Sequence, residues 1–106
     1  YEGKKPYAEA RAATREDIER TVGDYARAAR NALRAGFDGV QLHGANGYLI
    51  DQFLRDGTNL RDDDYGGSVP NRVGLLREVV AALVAEVGAD RTHVRLSPNG
   101  AVQGCD

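Results

Sequence analysis

The chain has 106 residues, 42% of them hydrophobic, and its 14 basic and 16 acidic residues are interspersed, with a formal net charge of −2. That balance gives no sign of a nucleic-acid or membrane-surface binder, and the longest uncharged apolar run, Val79 to Ala85, falls well short of the roughly 20 residues of a bilayer span. No charged-then-apolar segment follows Tyr1, no Asn-x-Ser/Thr acceptor occurs, and Cys105 has no second cysteine among the 106 residues to pair with, so a reducing cytoplasm is the expected compartment and Cys105 is expected to be inert.

Residues 1–13, YEGKKPYAEARAA, are polar and aperiodic and are expected to form a connector. Thr14 offers a helix N-cap, with Glu16 and Asp17 in the first turn, where acidic groups suit the helix dipole. A helix is therefore predicted from about residue 15, with Ile18, Val22, Tyr25, Ala29, Ala32 and Leu33 as its apolar stripe and Gly36 as its stop. In FDGVQLHG, Val40 and Leu42 alternate with Gln41 and His43, so a strand with one apolar and one polar face is predicted. The strand breaks at GANG, where Gly44 and Gly47 are expected to allow the turn, and YLIDQF resumes as a helix.

Residues 57–71, GTNLRDDDYGGSVPN, read as a loop longer than an ordinary strand-to-helix connection. A second helix is predicted over about Asn71 to Val87, its stripe formed by Leu75, Leu76, Val79, Val80, Leu83, Val84 and Val87, with Gly88 as its stop. In the last segment, THVRLS, Val94 and Leu96 share one face while His93, Arg95 and Ser97 share the other.

Strand, helix, strand in that order implies two parallel strands and an α/β fold. A doubly wound sheet would make both strand faces apolar, whereas a parallel barrel covers the outer face with helices and turns polar residues at the C-terminal ends of its inner face toward the active-site mouth. The two-faced strands favour the barrel. A complete (β/α)8 barrel needs eight strands and about 250 residues, so residues 1–106 are expected to be a fragment, one partial barrel domain with 14–106 as its β/α units.

His43 and Arg95 then stand at the same rim, roughly 5 Å apart if their strands are neighbours. Two readings stay open from the residues alone. Each is a structural group, the common fate of single polar residues on strands, or each belongs to a site. The long loop on the functional side favours a site, but Asp62 to Asp64 lack a histidine or a spaced acidic partner, and no metal is expected there.

HGANGYLIDQFL, then TNLRDDDYGGSVPNR and, after one helix, VRLSPNG, together resemble the Old Yellow Enzyme family of flavin-dependent ene-reductases. The resemblance spans about residues 14 to 100 and implies part of an FMN-containing (β/α)8 barrel that transfers a hydride from reduced flavin to an activated alkene, the flavin being re-reduced by NAD(P)H. By the same resemblance His43 and Asn46 bind the substrate's carbonyl or nitro oxygen, Tyr48 is the proton donor, and Arg95 reaches the flavin. Hydride addition at the β-carbon of an enone drives negative charge onto the distant oxygen, so two donors placed there act as an oxyanion hole. A cationic, planar guanidinium at Arg95 favours an anionic reduced flavin. The implied partner is a small electrophilic alkene, with neither nucleic acid nor membrane involved. The family more often carries a polar or basic residue, threonine, glutamate and arginine at the positions of Leu60, Asp62, Pro70 and Gly74. Alternatives are another flavin barrel oxidoreductase, such as an amine dehydrogenase or a dienoyl-thioester reductase, or a non-catalytic truncated barrel piece.

Overall fold

The first helix, α1 (Arg15–Arg34), starts where Thr14 predicts it. The Thr14 hydroxyl accepts the Asp17 backbone N–H at 3.1 Å, and the Asp17 carboxylate accepts the Thr14 N–H at 2.9 Å, closing a capping box. Arg11 also donates to this carboxylate at 2.6 Å. Its hydrogen bond, with that from Thr14, holds the Asp17 carboxyl well below the usual range. This is a computed structural model that describes residues 3–100, so Cys105 and its expected inertness lie outside it. Of the predicted stripe, Ile18 and Ala29 are buried, and Val22, Tyr25 and Leu33 pack against the core.

Strands β1 (Val40–Gly44) and β2 (Thr92–Leu96) pair in parallel, with Val40 opposite Thr92, His43 opposite Arg95 and Gly44 opposite Leu96. Leu42 is buried on the helix-packed side of β1, while Gln41 and His43 are exposed on the other, as period two requires. The corresponding apolar side of β2 is only partly covered. Val94 is 37% and Leu96 52% exposed, because among the described residues no further strand or helix closes over β2.

Three helical segments follow β1. The short α2 (Leu49–Leu54) buries Ile50, Asp51 and Phe53. The helix predicted over Asn71–Val87 begins earlier and in two pieces, α3 (Val69–Arg72) and α4 (Gly74–Val87). The earlier start follows from Ser68, whose hydroxyl accepts the Asn71 N–H, and from Pro70, which sits in the first turn where no N–H is needed. Helix α4 ends at Gly88 as predicted, and a 3-10 turn at Ala89–Arg91, absent from the sequence reading, leads into β2. On α4, Leu75, Val79, Leu83 and Val87 are buried. Leu76 and Val80 are partly buried against the core, but Val84, assigned to the same stripe, is exposed. Helix α4 packs along α1 and reaches β2, while α2 packs on β1 and α4. One cluster results, running from Ile18 through Leu42 and Ile50 to Val79 and Val87. Each of its fully buried aliphatic side chains contributes about 1.5–3 kcal/mol.

The long connection between α2 and α3 is built around polar groups. Asn59 is 7% exposed; its amide donates to the carbonyls of Phe53 and Tyr65, both at 2.7 Å, and its oxygen accepts the Arg61 N–H at 3.0 Å. Tyr65 is buried, with its hydroxyl on Glu78, and burial together with that carboxylate raises its pKa. Arg61 donates to Asp63 and to the Ala13 carbonyl, and its guanidinium lies over the rings of Phe53 and Tyr65 at 5.5 and 5.9 Å. Of the four positions that depart from the family pattern, Leu60 and Asp62 are exposed, Pro70 lies in the first turn of α3, and Gly74 lies against the Tyr65 ring. None of them interrupts this network.

Two outcomes follow from the fold. In a complete barrel carrying this segment, Asn59→Leu leaves two buried backbone carbonyls and one partly buried N–H unpaired and lowers the unfolding free energy by about 3 kcal/mol, read from urea melts. Among the described residues the sheet has two unpaired strand edges, beside exposed Phe37, Val94 and Leu96; the 106-residue chain alone self-associates and retains little FMN, and gel filtration that gave a flavin-loaded monomer would contradict this.

Candidate active site

At the end of β1 the chain reverses within four residues. Asn46 has φ +60° and Gly47 φ +78°, and the Tyr48 N–H bonds the Ala45 carbonyl at 3.3 Å, so Asn46 and Gly47 are the central pair of a mirror-image turn of type I′. The turn was expected from Gly44 and Gly47. Gly47 takes part, but Gly44 has an ordinary strand conformation and is needed for space: a Cβ there would lie 3.1 Å from both the Arg95 carbonyl oxygen and Leu96 Cδ2. Asn46 supplies the second left-handed residue, the role asparagine tolerates best after glycine.

Tyr48 is the N-cap residue of α2 and is 52% exposed. Its ring lies 5.1 Å from that of His43, inclined at 48°. His43 and Asn46 are exposed on the same rim, and Arg95 is exposed opposite His43 in the ladder. All four candidate residues are therefore at the C-terminal ends of β1 and β2. Their side chains make no hydrogen bond or ion pair to other described residues, although no buried side-chain polar atom among the described residues is left without a partner. The structure thus pairs its buried polar groups and leaves these four side chains without a hydrogen-bond or ion-pair partner among the described residues. An exposed guanidinium with no acidic partner among the described residues is chemically suited to a negatively charged group such as a flavin phosphate or an anionic ring.

Several supporting residues escaped the sequence reading. The Asp51 carboxylate, 5% exposed, accepts the Gly47 N–H at 2.9 Å and Arg55 Nε at 3.0 Å. Arg55 Nη2 donates to the Ser97 carbonyl at 2.5 Å, and Ser97 Oγ accepts the Asn46 N–H at 2.8 Å. Gln52 donates to the Gly47 carbonyl at 2.8 Å. Asp51 and Arg55 at i, i+4 and the Asn-Gly dipeptide were visible signals for this support; the Ser97 contacts, spanning 42 and 51 residues, were not.

Two clefts lie beside this rim, one of about 330 Å³ bordered by Asp51, Arg55, Arg72 and Ser97, and one of about 680 Å³ between residues 10–13 and 58–63. None of the four candidate residues lines either, as expected of a barrel mouth whose remaining walls belong to other strands. Among the described residues no group of three or more His, Cys, Asp or Glu could hold a metal, and no helix is long and apolar enough to cross a membrane.

Similarity to known proteins agrees with this geometry. 12-oxophytodienoate reductase 1 of Oryza sativa subsp. japonica is 52% identical over 92 residues, which is 87% of this chain and 24% of that protein. The Old Yellow Enzyme homologue of Zymomonas mobilis superposes with a TM-score of 0.96 at 59% identity, over 99% of this chain and 30% of its own. Morphinone reductase, solved in complex with tetrahydroNAD, gives 0.95 at 43% identity, over 98% and 29%. The chain thus spans about a quarter of the length of the curated relatives it matches, and its two parallel strands are part of an Old Yellow Enzyme (β/α)8 barrel. With residues 2–105 also matching the family's sequence profile, the chain belongs to the NADH:flavin oxidoreductase / NADH oxidase family.

Proposed function

We propose that this chain is the substrate-activating part of an FMN-dependent ene-reductase, in which His43 and Asn46 bind the carbonyl or nitro oxygen of an activated alkene, Tyr48 is the proton donor and Arg95 contacts the flavin. The observation that carries the reading is the gathering of these four unpaired polar side chains on one rim, with His43 and Arg95 opposite each other and the His43 and Tyr48 rings 5.1 Å apart. Relatives named as reductases of 12-oxophytodienoate and morphinone support it. Residues 1–13 act as the connector and 14–106 as barrel units, a division supported by the absence of helix or strand from 3 to 14. A lone cysteine, kept reduced, suits a cytoplasmic enzyme.

FMN, when bound and reduced by NAD(P)H, supplies the hydride. The residues of this chain do the rest. His43 and Asn46 donate hydrogen bonds to the substrate oxygen, and these strengthen as that oxygen gains negative charge, which lowers the barrel's barrier for the reduction. Tyr48 delivers a proton from its hydroxyl to the α-carbon, which balances the hydride gained at the β-carbon and saturates the double bond. Arg95 holds positive charge at the cofactor side of the rim.

In a complete, FMN-loaded barrel carrying this segment, Tyr48→Phe slows oxidation of reduced flavin by an enone, while reduction of the flavin by NAD(P)H stays close to the parent rate; stopped-flow traces of the two half-reactions separate them. The oxygen site is tested with His43→Ala combined with Asn46→Gly, since glycine keeps the left-handed turn that alanine would strain. This pair raises the dissociation constant of a phenol, followed by flavin absorbance, and slows enone reduction. Each lost donor accounts for about 3 kcal/mol at most, and the two together for less than the sum because they share one oxygen. Unchanged phenol binding and enone reduction in the double variant would return His43 to a structural role.

A further inference from the structure

The Asn46–Gly47 turn is not held by its own ladder alone. Starting from the Gly47 N–H, hydrogen bonds run to the Asp51 carboxylate, from that carboxylate to Arg55, from Arg55 to the Ser97 carbonyl, and from Ser97 Oγ back to the Asn46 N–H. Asn46 and Gly47 share a peptide bond, so the path is a closed ring. It joins the turn that carries Asn46 and Tyr48 to the segment two residues beyond Arg95. Its ionic members are removed from water, the Asp51 side chain being 5% and the Arg55 side chain 11% exposed, so their hydrogen bonds are charge-assisted and little screened. The Ser97 carbonyl also accepts the Gly100 N–H at 3.1 Å, which uses both of its acceptor directions.

We infer that Asp51, Arg55 and Ser97 are positioning residues that set Asn46 and Tyr48 against Arg95, and so set the substrate's oxygen and α-carbon against the cofactor. The inference rests on the reading of His43, Asn46 and Tyr48 as the substrate site. Neither strand pairing nor the turn does this alone. The ladder ends at Gly44 and Leu96, before Asn46 and Ser97, and the turn's internal bond at 3.3 Å ties Tyr48 only to Ala45. Ser97 Oγ supplies the direct link across the gap, and the Asp51–Arg55 pair fixes the Ser97 main chain from which that hydroxyl projects.

The test compares Ser97→Ala, Ser97→Thr and Arg55→Lys in a complete, FMN-loaded barrel carrying this segment, with the His43→Ala/Asn46→Gly variant beside them. Phenol affinity, the rate of enone-dependent flavin oxidation, FMN content and melting temperature are measured for each. Ser97→Ala, which removes one hydrogen bond, weakens phenol binding roughly fivefold and slows enone reduction at parental FMN content. Ser97→Thr, which keeps the hydroxyl, restores both. Arg55→Lys, lacking the fork that spans two acceptors, falls in the same direction as Ser97→Ala. Parental phenol affinity and enone rate in Ser97→Ala and Arg55→Lys overturn the inference, as does a loss confined to melting temperature or FMN content. If the His43→Ala/Asn46→Gly variant also binds phenol normally, the site reading itself has failed; if it loses phenol while the positioning variants do not, only the ring inference falls.

Discussion

Two successive residues with positive φ, Asn46 and Gly47, are the constraint on which the rim depends. A parallel strand that must launch a helix almost at once has to change direction at its end, and a left-handed pair does this in a single turn. For a residue with a Cβ the left-handed region is costly, and asparagine tolerates it better than most. Asn46 can therefore shape the backbone and present an amide to solvent at the same position. The reversal also exposes the Gly47 and Asn46 N–H groups to partners outside the ladder, and a buried carboxylate and a serine hydroxyl meet them.

Polar groups fall into two populations with different purposes. Those inside the loop and under the turn are paired, and they build structure. Asn59 replaces a missing stretch of ladder by serving three backbone groups, while Arg61 joins the Ala13 carbonyl, Asp63 and two aromatic rings around one guanidinium. The hydrogen bond from Arg61 holds the Asp63 carboxyl below its ordinary range. The Tyr-Gly-Gly-Ser stretch, distinctive as a motif, belongs to this population: Tyr65 is a core residue and Ser68 is a helix cap. His43, Asn46, Tyr48 and Arg95 form the other population, exposed and unpaired through their side chains among the described residues. A site that must bind a polar ligand needs such free donors, and a stable loop cannot carry them in its interior.

The helices and strands were legible because their signals are local. Thr14 with Asp17 marks the start of α1 three residues apart, Gly36 and Gly88 mark helix ends, and alternation separates Leu42 from His43 within one strand. The start of the second long helix was missed because Ser68 and Pro70 lie in a stretch rich in turn residues, whose composition suits a loop as well as a cap. Local pattern likewise assigned the break after β1 to its glycines, whereas the backbone uses Asn46 and keeps Gly44 for close approach to β2.

By itself the sequence determined the order of elements, the two-faced character of both strands and, through a resemblance carried by His43, Asn46, Tyr48 and the loop that follows, the family. Those properties depend on spacing within a few turns or on the identity of neighbouring residues. Only the tertiary structure decided the register that sets His43 opposite Arg95, the exposure of Val94 and Leu96, and the closure of the path from Gly47 through Asp51, Arg55 and Ser97 to Asn46. The contacts that close the path through Ser97 span 42 and 51 positions, and periodicity carries no information about which distant backbone group a side chain will meet.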